Sequence, residues 1–242
     1  MKILKLVSAC VCALLFFSIS RCGAAEYDGF RNIAPYQLRP FARDIGGLLG
    51  SGLNQTARPL GFSGFDIGLR TADQLKPSRR DTVLKDGSFG LRFVQAEIGM
   101  PMRIDGFVRA ASYEGITVAG GGLRYGLWNV SDENYHFNAM LIAMGSMAAH
   151  RYFTAVHFNT SLVCSLNVPG VAPYIGVGFD STKLAVQLDT TDPLLLDKEV
   201  RVANVKYSAG LRAKLGKLLY LAAGAAYTHG STLLNAAAGL RY

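Results

Sequence analysis

The sequence predicts an all-β fold, an antiparallel transmembrane β-barrel of about ten strands preceded by a short amphipathic helix. Ten segments between residues 61 and 242 alternate apolar side chains with polar or small ones, which is the period of a β-strand. No apolar run in this region approaches the roughly 20 residues that a membrane-spanning helix needs. The final segment keeps one apolar face up to Tyr242. We therefore expect the barrel to occupy residues 61–242.

The N-terminal 25 residues have the organisation of a secretory signal peptide. Lys2 and Lys5 form a basic start, and an apolar stretch runs from Leu6 to Ile19. Gly23-Ala24-Ala25 then offers the small residues of a cleavage site. We predict a signal peptide over residues 1–25, cut after Ala25. The alternative is a single N-terminal membrane anchor, for which this segment is short.

Composition excludes several classes of function. Removal of residues 1–25 leaves Cys164 as the single cysteine, so no intramolecular disulfide is expected. It also lowers the basic count from 25 to 22 against 17 acidic residues, a net charge of +5. This charge is mild and forms no Lys/Arg run, so we expect no nucleic-acid partner. Metal-ligand spacings and nucleotide-binding loops are absent from the sequence, and we predict no metal and no cofactor.

Residues 26–60 form a leader that does not alternate. Leu38, Phe41, Ala42, Ile45 and Leu49 recur at helical spacing and predict a short amphipathic helix, with a proline at position 40 that suits its first turn. Such a helix has an apolar face to cover. We expect it to plug the barrel or to lie under the periplasmic mouth, and the alternative is a flexible leader without fixed structure.

The alternation and the turn residues predict ten strands. They are predicted at residues 62–72, 88–99, 102–113, 116–128, 137–149, 156–167, 173–180, 205–215, 219–228 and 232–242. The apolar face changes parity near Phe93, which predicts a β-bulge, and the fifth strand is apolar on both faces. With both chain ends in the periplasm, the long connections after strands 1 and 7 face outside. The connection at residues 129–136 is long for a periplasmic turn, so eight or twelve strands stay open.

The last strand carries a resemblance. Leu240 and Tyr242 lie on the apolar face of a strand that ends in an aromatic residue. In this respect the chain resembles bacterial outer-membrane β-barrel proteins, whose final strand, ending in Phe or Tyr, is the signal read by the assembly machinery. The resemblance implies location in the outer membrane, contact with its lipids and recognition of Leu240 and Tyr242 during assembly. It also suggests a small porin-like barrel or a structural one.

If the apolar face meets lipid, the polar face lines the lumen. The expected lumen cations are Arg70, Arg103, Arg109, Arg124, Lys206, Arg212, Lys214 and Arg241. The expected acids are Asp66, Glu97 and Asp105, with Asp180 as a further candidate. The excess of positive charge favours small anionic solutes if the lumen conducts. The alternative is that these side chains fill the barrel as a network of ion pairs, as is common in small barrels.

Two other functions stay open. A soluble, lipocalin-like barrel has the same alternation but turns its apolar face inward around a ligand. His229-Gly230-Ser231 places His and Ser on one face and is similar to the His-x-Ser pair of the lipid A 3-O-deacylases, which are outer-membrane enzymes. A nucleophilic serine needs a base that is oriented by a third group. No Asp or Glu follows Glu199, so we predict that the protein is not an enzyme.

Overall fold

The computed structural model describes residues 27–78, 81, 83, 89–129, 131, 133–187, 196–216 and 218–242. The predicted signal peptide lies outside these residues. The described chain consists of a leader with two short 3-10 turns and one α-helix, followed by ten β-strands. The helix, α1, spans Leu38–Leu49.

The ten strands close into one antiparallel barrel. They are β1 Phe65–Gln74, β2 Phe89–Gly99, β3 Ile104–Tyr113, β4 Ile116–Gly126, β5 Phe137–His150, β6 Phe153–Leu166, β7 Val171–Val186, β8 Glu199–Leu215, β9 Leu219–Thr228 and β10 Ser231–Arg241. Each strand pairs with its neighbour in sequence, and β10 pairs with β1. The backbones of Phe65 and Tyr242 exchange two hydrogen bonds, 2.8 and 2.9 Å long, at the end of this seam. The prediction of ten strands is confirmed, and eight or twelve are excluded.

The predicted bulge near Phe93 is wrong. The pairing of β1 with β2 runs without interruption from Phe65 opposite Ile98 to Gln74 opposite Phe89. Phe89, Leu91 and Phe93 point into the barrel on the same face as Gln95 and Glu97. The inner face of β2 is therefore apolar in its first half and polar in its second half. The same alternate residues face inward along the whole strand.

The outside of the barrel is apolar and the inside is mostly polar. Val108 in β3 is 64% exposed, whereas its neighbour Arg109 is only 3% exposed. The same alternation places the exposed side chains of Leu69, Val94, Leu123, Leu141, Phe158, Ile175, Tyr207, Leu211, Tyr227 and Leu234 around the outer wall. This is the inverse of a lipocalin-like barrel, so the soluble alternative is excluded. An apolar belt of this kind needs hydrocarbon around it.

Val108 tests the belt, because it lies at the centre of β3 with its side chain on the outer wall. Val108→Arg is expected to lower the free energy of unfolding by about 2–4 kcal/mol, the cost of an arginine on the lipid face near mid-membrane. The measurement is urea unfolding of the protein in lipid vesicles, with Val108→Leu as the matched control. A stable Val108→Arg protein would show that this wall does not meet lipid.

The barrel has two mouths that differ in their connections. We call the mouth with Phe65, Met102 and Tyr242 the C-terminal mouth. The opposite mouth, which we call the loop mouth, carries the ends of β1 and β7 at Gln74 and Val186 and the turn at His229. The two longest connections, after β1 and after β7, both lie at the loop mouth.

The leader fills the lumen. Residues 27–60, which we call the plug, are in large part buried within the barrel, and α1 packs on β6, β7, β8, β1 and β2. The apolar face predicted for α1, including Phe41 and Ile45, is fully buried. In the structure the leader thus lies within the barrel as a plug, with α1 packed on the inner wall and not beneath a mouth. No helix in the described part of the chain is long and apolar enough to span a membrane.

The plug explains why the inner wall is apolar in places. Near the loop mouth, α1 and Phe30 pack against Phe89, Phe93 and Phe153 from the strands. Deeper in the lumen, Leu53 and Ala57 pack against Met140, Ile142 and Met144 of β5. Strand β5 is therefore apolar on both faces, because one face meets the plug and the other lies on the outer wall.

Candidate functional site: the plugged lumen

A polar clamp holds α1 to the wall near the loop mouth. The Asp44 carboxylate accepts hydrogen bonds from Gln74 Nε2 at 2.8 Å and from Ser78 N and Oγ at 2.8 and 2.7 Å. His229 Nε2 also lies 2.8 Å from Asp44 Oδ1. Burial alone would raise the pKa of Asp44, but the hydrogen bonds from His229, Ser78 and Gln74 outweigh it and hold this pKa below its ordinary value. The clamp therefore keeps an anion inside an apolar cluster.

Below the helix, cationic side chains of the wall bind the plug backbone. Lys206 Nζ donates to Gly50 O at 2.5 Å, and Arg109 Nη1 donates to Ser51 O at 3.0 Å. Gly50 and Ser51 directly follow α1, and Gly50 N, Ser51 N and Ser51 Oγ already donate to the helical carbonyls of Gly46, Leu48 and Gly47. The two cations therefore lie at the C-terminal end of the helix, where its dipole favours positive charge.

The contacts continue to the C-terminal mouth. Arg124 Nη2 donates to Leu53 O at 3.1 Å, and Arg241 Nη2 donates to the carbonyls of Arg58 and Pro59 at 3.0 and 2.7 Å. Asp105 accepts the backbone N–H of Leu60 at 3.0 Å. The plug therefore crosses the whole lumen and is bonded to the wall at every level.

A network of buried ion pairs surrounds the middle of the plug. Glu97 lies 2.7 Å from Arg70 and 2.6 Å from Arg124. Asp66 pairs with Arg70 at 3.3 Å and Arg212 at 3.4 Å, and the hydroxyl of Tyr220 donates to it at 2.8 Å. Arg70 also bonds the side chain of Gln55, so the network includes the plug.

A second group of ion pairs lies beside Gly50. Asp180 Oδ2 is 2.9 Å from Lys206 Nζ, and Asn159 Nδ2 donates to Asp180 Oδ1 at 2.5 Å. Asn54 of the plug lies near this group, where it donates to Ser208 at 2.8 Å and accepts from Ser161 at 3.2 Å. Every lumen carboxylate named here is thus bonded to a cation, an amide or a plug N–H.

Two tyrosines lie flat on glycines of the inner wall. The hydroxyl of Tyr174 lies over Gly210 and Gly224, and that of Tyr220 lies over Gly68 and Gly239. A Cβ atom at Gly210, Gly224 or Gly239 would collide with the tyrosine oxygen, and one at Gly68 would collide with the carbonyl oxygen of Ala238. The many glycines opposite the apolar face thus make room for inward aromatic side chains and the plug.

The structure places most predicted lumen residues inside the barrel. The buried ones are Arg70, Arg109, Arg124, Lys206, Arg212, Asp66, Glu97, Asp105 and Asp180, and Arg241 is half-buried at the C-terminal mouth. Two predictions fail. Arg103 lies in a 3-10 turn before β3, where it contacts the outward-facing Tyr125. Lys214 has the inward parity, but it lies at the end of β8 and is exposed to solvent.

The chain direction also corrects an expectation. Tyr27 and Phe30 pack against His150, Tyr152 and Phe153 at the loop mouth. The N-terminal end of the described chain and Tyr242 are therefore at opposite mouths. The two ends of the barrel, Phe65 and Tyr242, lie at the same mouth as expected, but Tyr27 lies at the other, so the two ends of the described chain do not share one side.

In the structure, the His229-Gly230-Ser231 fragment has a carboxylate beside it that the sequence did not reveal. This carboxylate is that of Asp44, which belongs to the plug. The imidazole Nε2 is engaged by Asp44, and its Nδ1 has no hydrogen-bond partner among the described residues. The His229 side chain is almost fully buried beneath α1. This geometry fits a structural clamp. Within the described residues, no group of three or more Asp, Glu, His or Cys could hold a metal ion.

Comparison with known proteins returns architecture alone. No protein-family model and no curated protein matches the chain. Solved structures that are similar to it include the N-terminal barrel domain of OprF from Pseudomonas aeruginosa, with 10% identity over 75% of this chain and 99% of that one and a TM-score of 0.40. Neisserial surface protein A has 12% identity over 74% and 95% of the two chains, with a TM-score of 0.34.

A third similar structure is the outer-membrane protein Omp33 of Acinetobacter baumannii, with 8% identity over 79% and 100% of the two chains and a TM-score of 0.33. All these scores are low, whereas the chain itself has a closed ring of strands, an apolar outer belt and a polar interior. These three features together give the chain the fold of a bacterial outer-membrane β-barrel.

Proposed function

We propose that this protein is an outer-membrane barrel whose lumen is kept closed by its own N-terminal segment, so that it acts as a structural barrel and not as an open pore. The observation that carries the proposal is the set of bonds between wall cations and plug carbonyls. Lys206, Arg109, Arg124 and Arg241 each donate to a main-chain oxygen of the plug. Side chains that would otherwise line a channel are thereby used to hold the plug.

The proposal includes the partners of the barrel. The outer belt contacts membrane lipids, and the strand that ends at Leu240 and Tyr242 is the segment for the assembly machinery to recognise. An anion-preferring pore is the second candidate, and it requires displacement of the plug. The buried lumen then holds Arg70, Arg109, Arg124, Lys206, Arg212 and Arg241 against Asp66, Glu97, Asp105 and Asp180, an excess of two positive charges.

We also propose that the protein is not an enzyme. Asp44 and His229 are bonded to each other beneath the plug, and Ser78 donates to the same carboxylate. These groups are used in the clamp, and their burial keeps them from a lipid substrate.

A disulfide staple tests the closed lumen. The Cβ atom of an alanine at Gly46 would lie 3.1 Å from the Cβ of Thr182 in β7, close to the roughly 3.8 Å of a disulfide. Gly46→Cys with Thr182→Cys, in a Cys164→Ala background, is expected to form a disulfide in the assembled protein. In planar bilayers the oxidised protein should show no steady conductance, and the two single-cysteine variants are the controls.

The outcomes separate the two candidate functions. A steady conductance of the oxidised, stapled protein would show that ions pass beside the plug and would contradict the closed barrel. A conductance that appears only after reduction would favour the pore with a displaceable plug. Failure of the disulfide to form in assembled protein would contradict the position of α1 in the lumen.

A further inference from the structure

We infer that the plug enters the barrel from the outer side of the membrane and presents a cationic surface to the cell exterior, where it fits an anionic polymer. The inference rests on the proposed placement of the barrel in the outer membrane. The long connections after β1 and β7 lie at the loop mouth, and long loops of such barrels face outside. The loop mouth is therefore the exterior mouth.

The direction of the plug follows from its contacts in chain order. Tyr27 and Phe30 lie at the loop mouth against Phe153, and Asp44 binds Gln74 at the end of β1. Gly50 and Leu53 then meet Lys206 and Arg124 inside the lumen. Pro59 and Leu60 reach Arg241 and Asp105 at the C-terminal mouth, just before β1 begins. The chain thus runs inward from the exterior mouth, and Tyr27 lies on the exterior side.

The first part of the plug shows one polar face to the exterior. Tyr36 is 68% exposed, and Arg31, Arg39 and Arg43 are exposed as well. Arg39 and Arg43 are four residues apart on α1, so they are neighbours on one face of the helix. The opposite face carries Leu38, Phe41 and Ile45 into the barrel, which leaves the arginines no inward alternative.

The acidic side chains that the structure describes in the plug do not balance the charge of this face. Asp44 is buried and bonded to Gln74, Ser78 and His229. In the part of the chain that the structure describes, no carboxylate forms an ion pair with Arg31, Arg39 or Arg43. Two cations fixed on one face of α1, with Arg31 and Tyr36 exposed on the turns just before it, suit the repeated phosphate or sulfate groups of an anionic polysaccharide. A small neutral solute would gain nothing from this arrangement.

Cysteine labelling tests the direction of the plug. Tyr36→Cys and Met102→Cys are placed separately in a Cys164→Ala background, because these two positions are the strongly exposed sites at opposite mouths, 68% and 82% exposed. A membrane-impermeant maleimide is added to intact cells. We expect Tyr36→Cys to react at once and Met102→Cys to react only after the outer membrane is permeabilised. Protection of Tyr36→Cys in intact cells that ends on permeabilisation would overturn the inference.

Binding of dextran sulfate tests the charge of the surface, with neutral dextran as the blank. Arg39→Ala with Arg43→Ala is compared with Arg103→Ala and Lys214→Ala, which remove the same charge at the C-terminal mouth. In detergent micelles we expect the first pair to weaken binding about tenfold at low salt, which corresponds to two solvent-exposed ion pairs. The second pair should leave it unchanged.

Two results would overturn the anionic partner. One is the absence of dextran sulfate binding by the unmodified protein at low salt. The other is an equal loss of binding in both double variants, which would show that binding depends on the net charge of the protein and not on this surface. The closed lumen is tested separately, because a conducting barrel can still present this surface and a closed barrel can still fail to bind the polymer.

Discussion

Glu97→Ala is expected to lower the free energy of unfolding by about 3–5 kcal/mol, because it leaves two buried guanidinium groups without their shared carboxylate. Arg70 and Arg124 both lie within 2.7 Å of Glu97, and all three side chains are almost completely buried. Gln95, whose amide also donates to Glu97 at 2.8 Å, loses its acceptor too. The measurement is urea unfolding of the assembled barrel, in which the folded fraction is read from its mobility on unheated gels.

The matched control is Glu199→Ala. Glu199 pairs with Lys183 at 2.5 Å, but both side chains are well exposed at the loop mouth, so the loss is expected to stay below about 1 kcal/mol. A Glu97→Ala barrel as stable as the control would show that the Glu97 network is solvated and that the lumen holds more water than its packing indicates.

Deletion of residues 27–60 is expected to convert a closed barrel into a conducting one. The wall would lose the carbonyl partners of Lys206, Arg109, Arg124 and Arg241, and it would keep its two excess positive charges. Reversal potentials in a salt gradient should therefore report preference for anions. This preference should fade as the ionic strength rises, since the Debye length falls to about 3 Å at 1 M salt.

Conductance is compared only among assembled barrels, which are recognised by their mobility on unheated gels. We expect a lower yield, because the apolar cluster around Phe93 and Phe153 loses Phe41 and Ile45. Assembled barrels without the plug and without conductance would contradict the proposed role of the plug. In that case the strand side chains alone would close the lumen.

Much of the fold could be predicted from the sequence, because alternation fixes which residues share a face. The predicted bounds of β9 are confirmed, and Asp66, Arg109 and Arg212 are buried on the face to which the alternation assigned them. The bulge near Phe93 was inferred from polarity alone. That inference fails where an inner wall meets an apolar plug, because Phe93 faces inward to pack near α1 and not outward to meet lipid.

The site was less predictable, because its partners are distant in sequence. Asp44 and His229 are 185 residues apart, and Asn54 and Ser208 are 154 apart. The sequence offered one signal for the plug, the helical spacing of Leu38, Phe41 and Ile45. Nothing in it distinguishes a helix that binds inside the barrel from one that lies beneath it. The main-chain carbonyls of Gly50 and Leu53 carry no sequence signal at all, although they hold the wall cations.

A chain that threads its own closed ring has a mechanical consequence. The bulky Phe30 and Phe41 sit at the loop-mouth end of the plug, and its other end continues directly into β1 at Phe65. We therefore expect the plug to be in place before the seam between β1 and β10 closes. A pull on Tyr27 away from the barrel would load the contacts of Tyr27 and Phe30 with Phe153 at the loop mouth first, and the Arg241 and Asp105 contacts at the C-terminal mouth last. We therefore expect extraction of the plug to be resisted contact by contact along its length, so that a rate, and not an equilibrium, sets how long the lumen stays closed.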